Sequence, residues 1–107
     1  MAEGLRYVSN LLAEQPQVPP DSIVSKTLHR DEHVTVILFA FDAGQELSEH
    51  TSAKPAILQI LSGEADLTLG EEQQKAGPGA WAYMPAKLPH SIFAKTPVIM
   101  LLEMLES

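Results

Sequence analysis

The fold of this chain is most constrained by a succession of short apolar runs, rich in β-branched and aromatic residues, with turn residues between them. Residues of these types favour strands, whereas glycine, proline and acidic residues end or turn the chain between the runs. In chain order the runs are SIVSKTLHR, HVTVILFAF, AILQILS, EADLTL, AWAYM, SIFA and VIMLLEML. This pattern predicts an all-β domain in which two antiparallel sheets form a barrel.

Two of these runs are apolar at nearly every position. HVTVILFAF is apolar on both faces, as expected of a buried central strand. VIMLLEML is also compatible with a helix, because leucine and methionine are good helix formers. We favour a strand, since the preceding chain is β-rich and a barrel needs a closing partner. Strands of this kind leave one apolar face of a small barrel uncovered, so we expect the chain to form a homodimer.

The N-terminal part of the chain differs from the rest. Between Glu3 and Ala13, apolar residues recur at roughly helical spacing and predict a short amphipathic helix packed outside the barrel; they are Leu5, Val8, Leu11 and Leu12. Pro16, Pro19 and Pro20 then end any helix and impose extended backbone. We therefore expect one domain over residues 1–107, with the helix and a proline-rich connector in 1–20 and the barrel in 21–107.

Composition restricts the partners and the compartment of the protein. A chain of 107 residues with a formal charge of −7 repels a phosphate backbone, so we expect no nucleic-acid binding. The absence of cysteine removes disulfides and thiolate chemistry together. The N-terminal sequence has no signal-peptide pattern, and no apolar run approaches the ~20 residues that span a bilayer. We expect a cytoplasmic protein that makes no contact with a membrane.

Two segments place a histidine at a fixed distance from glycine and proline. GQELSEH ends at His50, and MPAKLPH ends at His90. Both resemble the signature motifs of the cupin superfamily, which read Gly, five residues, His-x-His, Glu and Gly, and later Gly, five residues, Pro-x-Gly, two residues and His. The chain is thus similar to small single-domain cupins of the RmlC-like, cupin 2 conserved barrel type. The residues in register are Gly44, His50, Gly63, Gly79, Pro85 and His90.

Three residues depart from that family pattern. Ser52 replaces the second histidine, Ala56 replaces the glutamate, and Lys87 replaces the glycine after the proline. The resemblance implies a double-stranded β-helix whose interior binds iron, manganese, zinc or nickel through three histidines and a glutamate. With His50 and His90 as the remaining metal ligands, we expect any metal to be weakly held and exchangeable. The alternative is a neutral, hydrogen-bonded pair of histidines without metal.

Two polar residues near this motif are candidates for lining a ligand cavity around the histidines. On a regular strand Ser52 shares a face with His50, two residues before it. Gln59 is the polar residue of an otherwise apolar strand, and its carbonyl oxygen could assist a ligand or a metal. Its odd spacing from Ala56, however, places it on the opposite face of a regular strand.

Trp81 and Tyr83 are the aromatic candidates for ligand binding. They lie two apart on one short strand, so their rings share a face. That face lines the ligand cavity, lies in an interface or packs in the core, and core packing is the commoner fate of such pairs.

His29 and His33 permit a second interpretation of the histidines. HRDEH has the i, i+4 spacing that chelates zinc on a helix. The surrounding sequence predicts strand and turn instead, and in an extended chain the two residues lie roughly 13 Å apart. We therefore interpret HRDEH as a polar hairpin between two strands.

Two classes of function remain open from the sequence. The first is a non-catalytic barrel whose cavity around His50 and His90 binds a small molecule, with or without a metal. The second is a metal-dependent enzyme, an oxygenase, isomerase or decarboxylase, that acts on a small organic compound. No catalytic residue is assigned, because the spacing of the glutamates does not indicate paired-carboxylate chemistry and a fold of this kind hosts many activities.

Overall fold

The computed structural model describes residues 3–106, so residues 1, 2 and 107 of the predicted domain lie outside it. Nine strands account for most of the described chain, which confirms the all-β prediction. They are β1 (Ile23–Arg30), β2 (Val34–Phe41), β3 (Glu46–His50), β4 (Ala56–Ser62), β5 (Ala65–Leu69), β6 (Glu72–Ala76), β7 (Trp81–Met84), β8 (His90–Ala94) and β9 (Val98–Leu105). Within residues 3–106, no helix has the length and apolarity needed to cross a bilayer.

The strands form two antiparallel sheets in the arrangement of a double-stranded β-helix. One sheet has five strands in the order β1-β2-β9-β4-β7, and the other has four in the order β3-β8-β5-β6. The apolar run VIMLLEML is β9, and it lies between β2 and β4. The strand interpretation of this run is confirmed, and its central place in the sheet explains its apolar character.

The main core lies between the two sheets. Alternation along β4 sends Leu58 and Ile60 into it, where both are fully buried against Met84, Val98 and Met100. The opposite side of the five-stranded sheet, called the outer face below, carries a second, smaller cluster. Its buried residues are Leu38, Ala40, Ile99 and Leu101.

The N-terminal segment covers part of this outer face. Leu11 and Val18 pack against the smaller cluster, which is why β2 and β9 are apolar on both sides. The predicted amphipathic helix over Glu3 to Ala13 is wrong, since the segment forms a 3₁₀ turn at Leu11–Glu14 instead. The Leu12 N–H donates to the Asn10 side-chain oxygen at 3.2 Å and caps this turn. A helix of that length is marginal in water, and its few apolar residues reach the sheet without it.

Candidate functional site

A β-bulge brings His50 and His90 together. Strands β3 and β8 are antiparallel neighbours in which Leu47 pairs with Ile92 and His50 pairs with His90. Regular pairing would set Glu49 opposite His90, so β3 contains one extra residue at this point. His90 lies two residues before Ile92 and shares its inner face. The extra residue in β3 turns the His50 side chain to the same inner face, directly across from His90.

The two imidazoles are in direct contact, with their ring centroids 4.2 Å apart and their planes at 60°. In each ring, Nδ1 lies 2.8 Å from the backbone carbonyl two residues earlier, which belongs to Ser48 for His50 and to Leu88 for His90. A carbonyl oxygen accepts and cannot donate, so both Nδ1 atoms carry a proton. In the neutral form of each ring, Nε2 is then an unprotonated acceptor.

The loops that lead into the two histidines are joined to each other. The Lys87 N–H donates to the Ser52 carbonyl at 2.7 Å, which ties the chain before β8 to the chain after β3. Lys87 adopts a φ of 69°, a conformation that glycine adopts without cost. This explains physically why the resembled motif has glycine there. Pro89 restricts Leu88 to extended backbone, and the Leu88 carbonyl is the acceptor for His90.

Solvent reaches one histidine of the pair more than the other. His90 is 7% exposed, whereas the side of the pair formed by His50 is open to solvent. Neither histidine lines the four cavities described along residues 4–103. The pair lies where the C-terminal end of β3 meets the N-terminal end of β8. A ligand would approach it from the side of His50.

The metal that the resemblance implies would need ligands from the side chains around the histidine pair. Within residues 3–106, no group of three or more histidine, cysteine, aspartate or glutamate side chains is placed to hold a metal ion. Ser52 lies beyond the end of β3, so strand alternation does not extend to it, and its hydroxyl accepts the Lys54 N–H at 3.2 Å. Ala56 is buried. Two imidazoles do not supply the three protein ligands that a typical catalytic zinc site has, so the donor set does not fit a tightly held metal.

Three of the predicted ligand-binding residues lie away from the histidine pair. Gln59 pairs with Trp81 across β4 and β7, and Ile57 pairs with Tyr83. All four alternate with the buried residues of the core, and therefore point to the outer face. The prediction that Gln59, Trp81 and Tyr83 line one cavity with the histidines does not agree with this placement. The parity argument for Gln59 and the shared face of the two aromatic residues are both confirmed.

HRDEH forms the predicted hairpin between β1 and β2, so it is not a helical chelating pair. His29 Nε2 lies 2.7 Å from the Asp31 carboxylate, and the N–H groups of His33 and Val34 donate to the same side chain. These contacts, first the hydrogen bond with His29 and then the two backbone N–H groups, lower the pKa of Asp31 from 3.8 to about 2. His33 is largely exposed beside Glu32.

The groups that orient the two imidazoles could not be recognised from the sequence. They are backbone carbonyls of Ser48 and Leu88, and no side-chain type marks them. The Leu88-Pro89 dipeptide was the available signal, because proline fixes the backbone before it. The bulge in β3 could not be recognised from the sequence either, although Glu49 and His50 lie at the end of a strand, where an extra residue is tolerated.

Comparison with known proteins identifies the family. The family model described as cupin domain matches residues 37–103, and the chain belongs to that family. An uncharacterized protein from Streptomyces coelicolor is 33% identical over 61 residues, which are 57% of this chain and 58% of that relative. The match thus spans less than two thirds of the relative's length.

Two crystal structures are similar over most of the chain. A conserved protein of unknown function from Streptococcus pyogenes is 32% identical, with a TM-score of 0.82 over 94% of this chain and 88% of that one. A cupin superfamily protein from Desulfitobacterium hafniense is 27% identical, with a TM-score of 0.83 over 90% of this chain and 88% of that one. These likenesses support the cupin fold and name no ligand.

Proposed function

We propose that His50 and His90 form a binding site for a small molecule and that the site works without a tightly bound metal. The observation that carries the proposal is the contact between the two imidazoles, each with its Nδ1–H donated to a backbone carbonyl. That arrangement fixes both rings and leaves two adjacent Nε2 acceptors. The ligand class that suits them carries hydroxyl or N–H donors.

A metal-dependent enzyme is the second candidate, and one feature favours it. Histidines that ligate metals usually donate the other ring N–H to a carbonyl or carboxylate, as both rings do here. On this alternative a divalent ion such as zinc, nickel, manganese or iron binds weakly through His50 and His90, and the protein acts as an oxygenase, isomerase or decarboxylase on a small organic compound. The number of protein ligands argues against this alternative.

Elemental analysis of protein purified without a chelating tag separates the two candidates. We expect less than stoichiometric first-row metal, together with a small-molecule adduct in native mass spectrometry that is lost in His50→Ala and His90→Ala. His33→Ala is the matched control, because this histidine lies in the β1–β2 hairpin beside Glu32 and is 80% exposed. One equivalent of bound metal that both site variants lose would instead establish the metal-dependent alternative.

Calorimetric titration of the metal-free protein with zinc, nickel and manganese sharpens the same distinction. We expect weak, exchangeable binding that disappears in His50→Ala and in His90→Ala. Tight binding that survives His50→Ala would place the ligands elsewhere, and His29→Ala would then test the hairpin histidines.

We also propose that two copies of the chain pair through the uncovered part of the outer face. Trp81 and Tyr83 are 61% and 51% exposed there, beside Ile57. Large exposed aromatic residues are typical of interfaces. Light scattering at micromolar concentration should give a dimer, and a combined Trp81→Ser and Tyr83→Ser variant should be monomeric. Phe93→Ser, on the other sheet, is the control, and a monomeric native protein would contradict the proposal.

A further inference from the structure

A cavity of about 440 Å³ lies on the outer face, away from the His50–His90 pair. Its walls are largely apolar, with Leu28, Val36 and Leu101 from the sheet and Leu5, Val8 and Leu11 from the N-terminal segment. His29, Arg6 and Glu103 supply its polar groups. This volume lies within the range of small-molecule sites, which are typically apolar clefts with a few polar groups.

A second β-bulge turns His29 towards this cavity. Thr27 pairs with Ile37, and His29 pairs with Val36, so Leu28 is an extra residue in β1. Regular pairing would set His29 opposite Thr35, which is buried on the inner face. The bulge therefore keeps His29 on the outer face with Val36. Bulges of this kind often redirect a side chain next to a binding site.

The two ring nitrogens of His29 are in different situations. The Nε2–H donates a hydrogen bond to the Asp31 carboxylate, since an ionised carboxylate only accepts. Nδ1 is buried and has no hydrogen-bond partner among residues 3–106. An unpaired buried polar atom is unfavourable, and such atoms in native proteins call for an explanation.

The chain that covers the cavity is held to the sheet by side-chain packing. In the described part of the chain, residues 4–9 make no hydrogen bond with the strands. The nearest polar anchor is the ion pair between Glu14 and Lys26, at 3.0 Å, which lies beyond the cavity. Leu5 and Tyr7 are exposed. A small displacement of residues 4–9 would therefore open the way to His29 without breaking hydrogen bonds.

We propose that this cavity binds a small, largely apolar molecule with one hydroxyl group, such as a phenol, and that residues 4–9 move aside so that the hydroxyl pairs with His29 Nδ1. The apolar walls accommodate the body of the ligand. A hydroxyl both donates and accepts, so it matches Nδ1 in either protonation state of the ring. A carboxylate fits less well: Arg6 would attract it, but Glu103 also lines the cavity, Asp31 contacts the same imidazole and the chain carries a charge of −7.

The test is an NMR titration of the ¹⁵N-labelled protein at pH 8 with naphthol and with its methyl ether, which has the same body but cannot donate a hydrogen bond. We expect naphthol to shift the amide signals of Leu28, Val36 and Leu101. We expect the ether to bind at least about tenfold more weakly, because it cannot donate a hydrogen bond to the unpaired Nδ1 of His29. The probe pair is compared on the native protein, so this result does not depend on the folding of a variant.

Two variants complete the test. His29→Phe keeps an aromatic ring without a polar atom and should weaken naphthol binding at least about tenfold. His33→Phe, in the same hairpin but exposed, should leave it unchanged. Equal affinity for the two probes, shifts centred on His50 and His90, or no shifts at all would overturn the proposal. Shifts of the same amides on dilution without probe would also overturn it, by showing that a second copy covers the cavity.

Discussion

Two regions of this molecule place a histidine by means of a β-bulge, and they differ in what the imidazole contacts. In the first, the bulge in β3 sets His50 against His90, and backbone carbonyls accept hydrogen bonds from both Nδ1–H groups. In the second, the bulge in β1 keeps His29 on the outer face, and the Asp31 carboxylate accepts a hydrogen bond from the Nε2–H. In each region, the hydrogen-bond acceptor that the imidazole contacts determines which ring nitrogen is left without a partner. The spacing of the histidines in the sequence does not determine it.

This difference explains why the two regions suit different chemistry. The contact of His50 with His90 brings two imidazoles to one place, and solvent reaches this place at His50. His29 instead has one enclosed acceptor, and its partner in the HRDEH spacing, His33, is directed to solvent beside Glu32. A binding site with two polar contacts is therefore expected at the first region, and a largely apolar one at the second.

The largest expected difference between the regions is in stability. His90→Ala removes a buried ring and its hydrogen bond to Leu88, so the free energy of unfolding should fall by about 2–3 kcal/mol. His33→Ala changes an exposed side chain and should stay within about 0.5 kcal/mol of the native protein. Urea unfolding of both variants measures this. Equal losses would mean that the two regions do not differ in packing.

A smaller effect is expected at Lys87, whose positive φ lies in the loop tied to Ser52. Lys87→Gly should raise the free energy of unfolding by about 0.5–1 kcal/mol, because glycine adopts this conformation without steric cost. Lys87→Ala keeps the strained conformation and is the control, for which no gain is expected. A similar gain in both variants would attribute the effect to the lysine side chain instead of the backbone.

The smallest effect concerns acid stability at the hairpin. The pKa of Asp31 is lowered to about 2 in the folded protein, from 3.8. Its contribution to stability is therefore complete above pH 3.8 and is lost as the pH falls towards 2. In Asp31→Asn, the urea midpoint should therefore fall less between pH 3.8 and 2 than it does in the native protein. The difference should be small, because the carboxylate is exposed. Glu32→Gln, in the same turn, should keep the native pH dependence, and identical profiles for all three proteins would contradict the assignment.

Most of the architecture could be predicted from the sequence, because its signals are local. The β-branched runs gave the strands, and the β-rich context was enough to identify VIMLLEML as a strand despite its helix-forming residues. The helix expected near Leu5 to Leu12 does not form, although apolar residues recur there at helical spacing. Extended chain followed by a 3₁₀ turn brings Leu11 onto the sheet without a helix.

The site could be predicted in part. The motif positions of His50 and His90 predicted that the two residues meet, although they are far apart in the chain. The surroundings could not be predicted by strand alternation, because alternation holds only within a regular strand. Ser52 lies past the end of β3. The bulges near Glu49 in β3 and at Leu28 in β1 move the following side chains to the opposite face of the strand. Bulges arise from backbone pairing, and residue type does not mark them.

The most direct measurement is the tautomer of three histidines, which long-range ¹H–¹⁵N NMR of the imidazole rings reports at pH 8. We predict that His50 and His90 carry the proton on Nδ1, with unprotonated Nε2 signals, and that His29 carries it on Nε2. A proton on Nε2 of His50 or His90 would contradict the account, because the pair would then lack one of its two free acceptors.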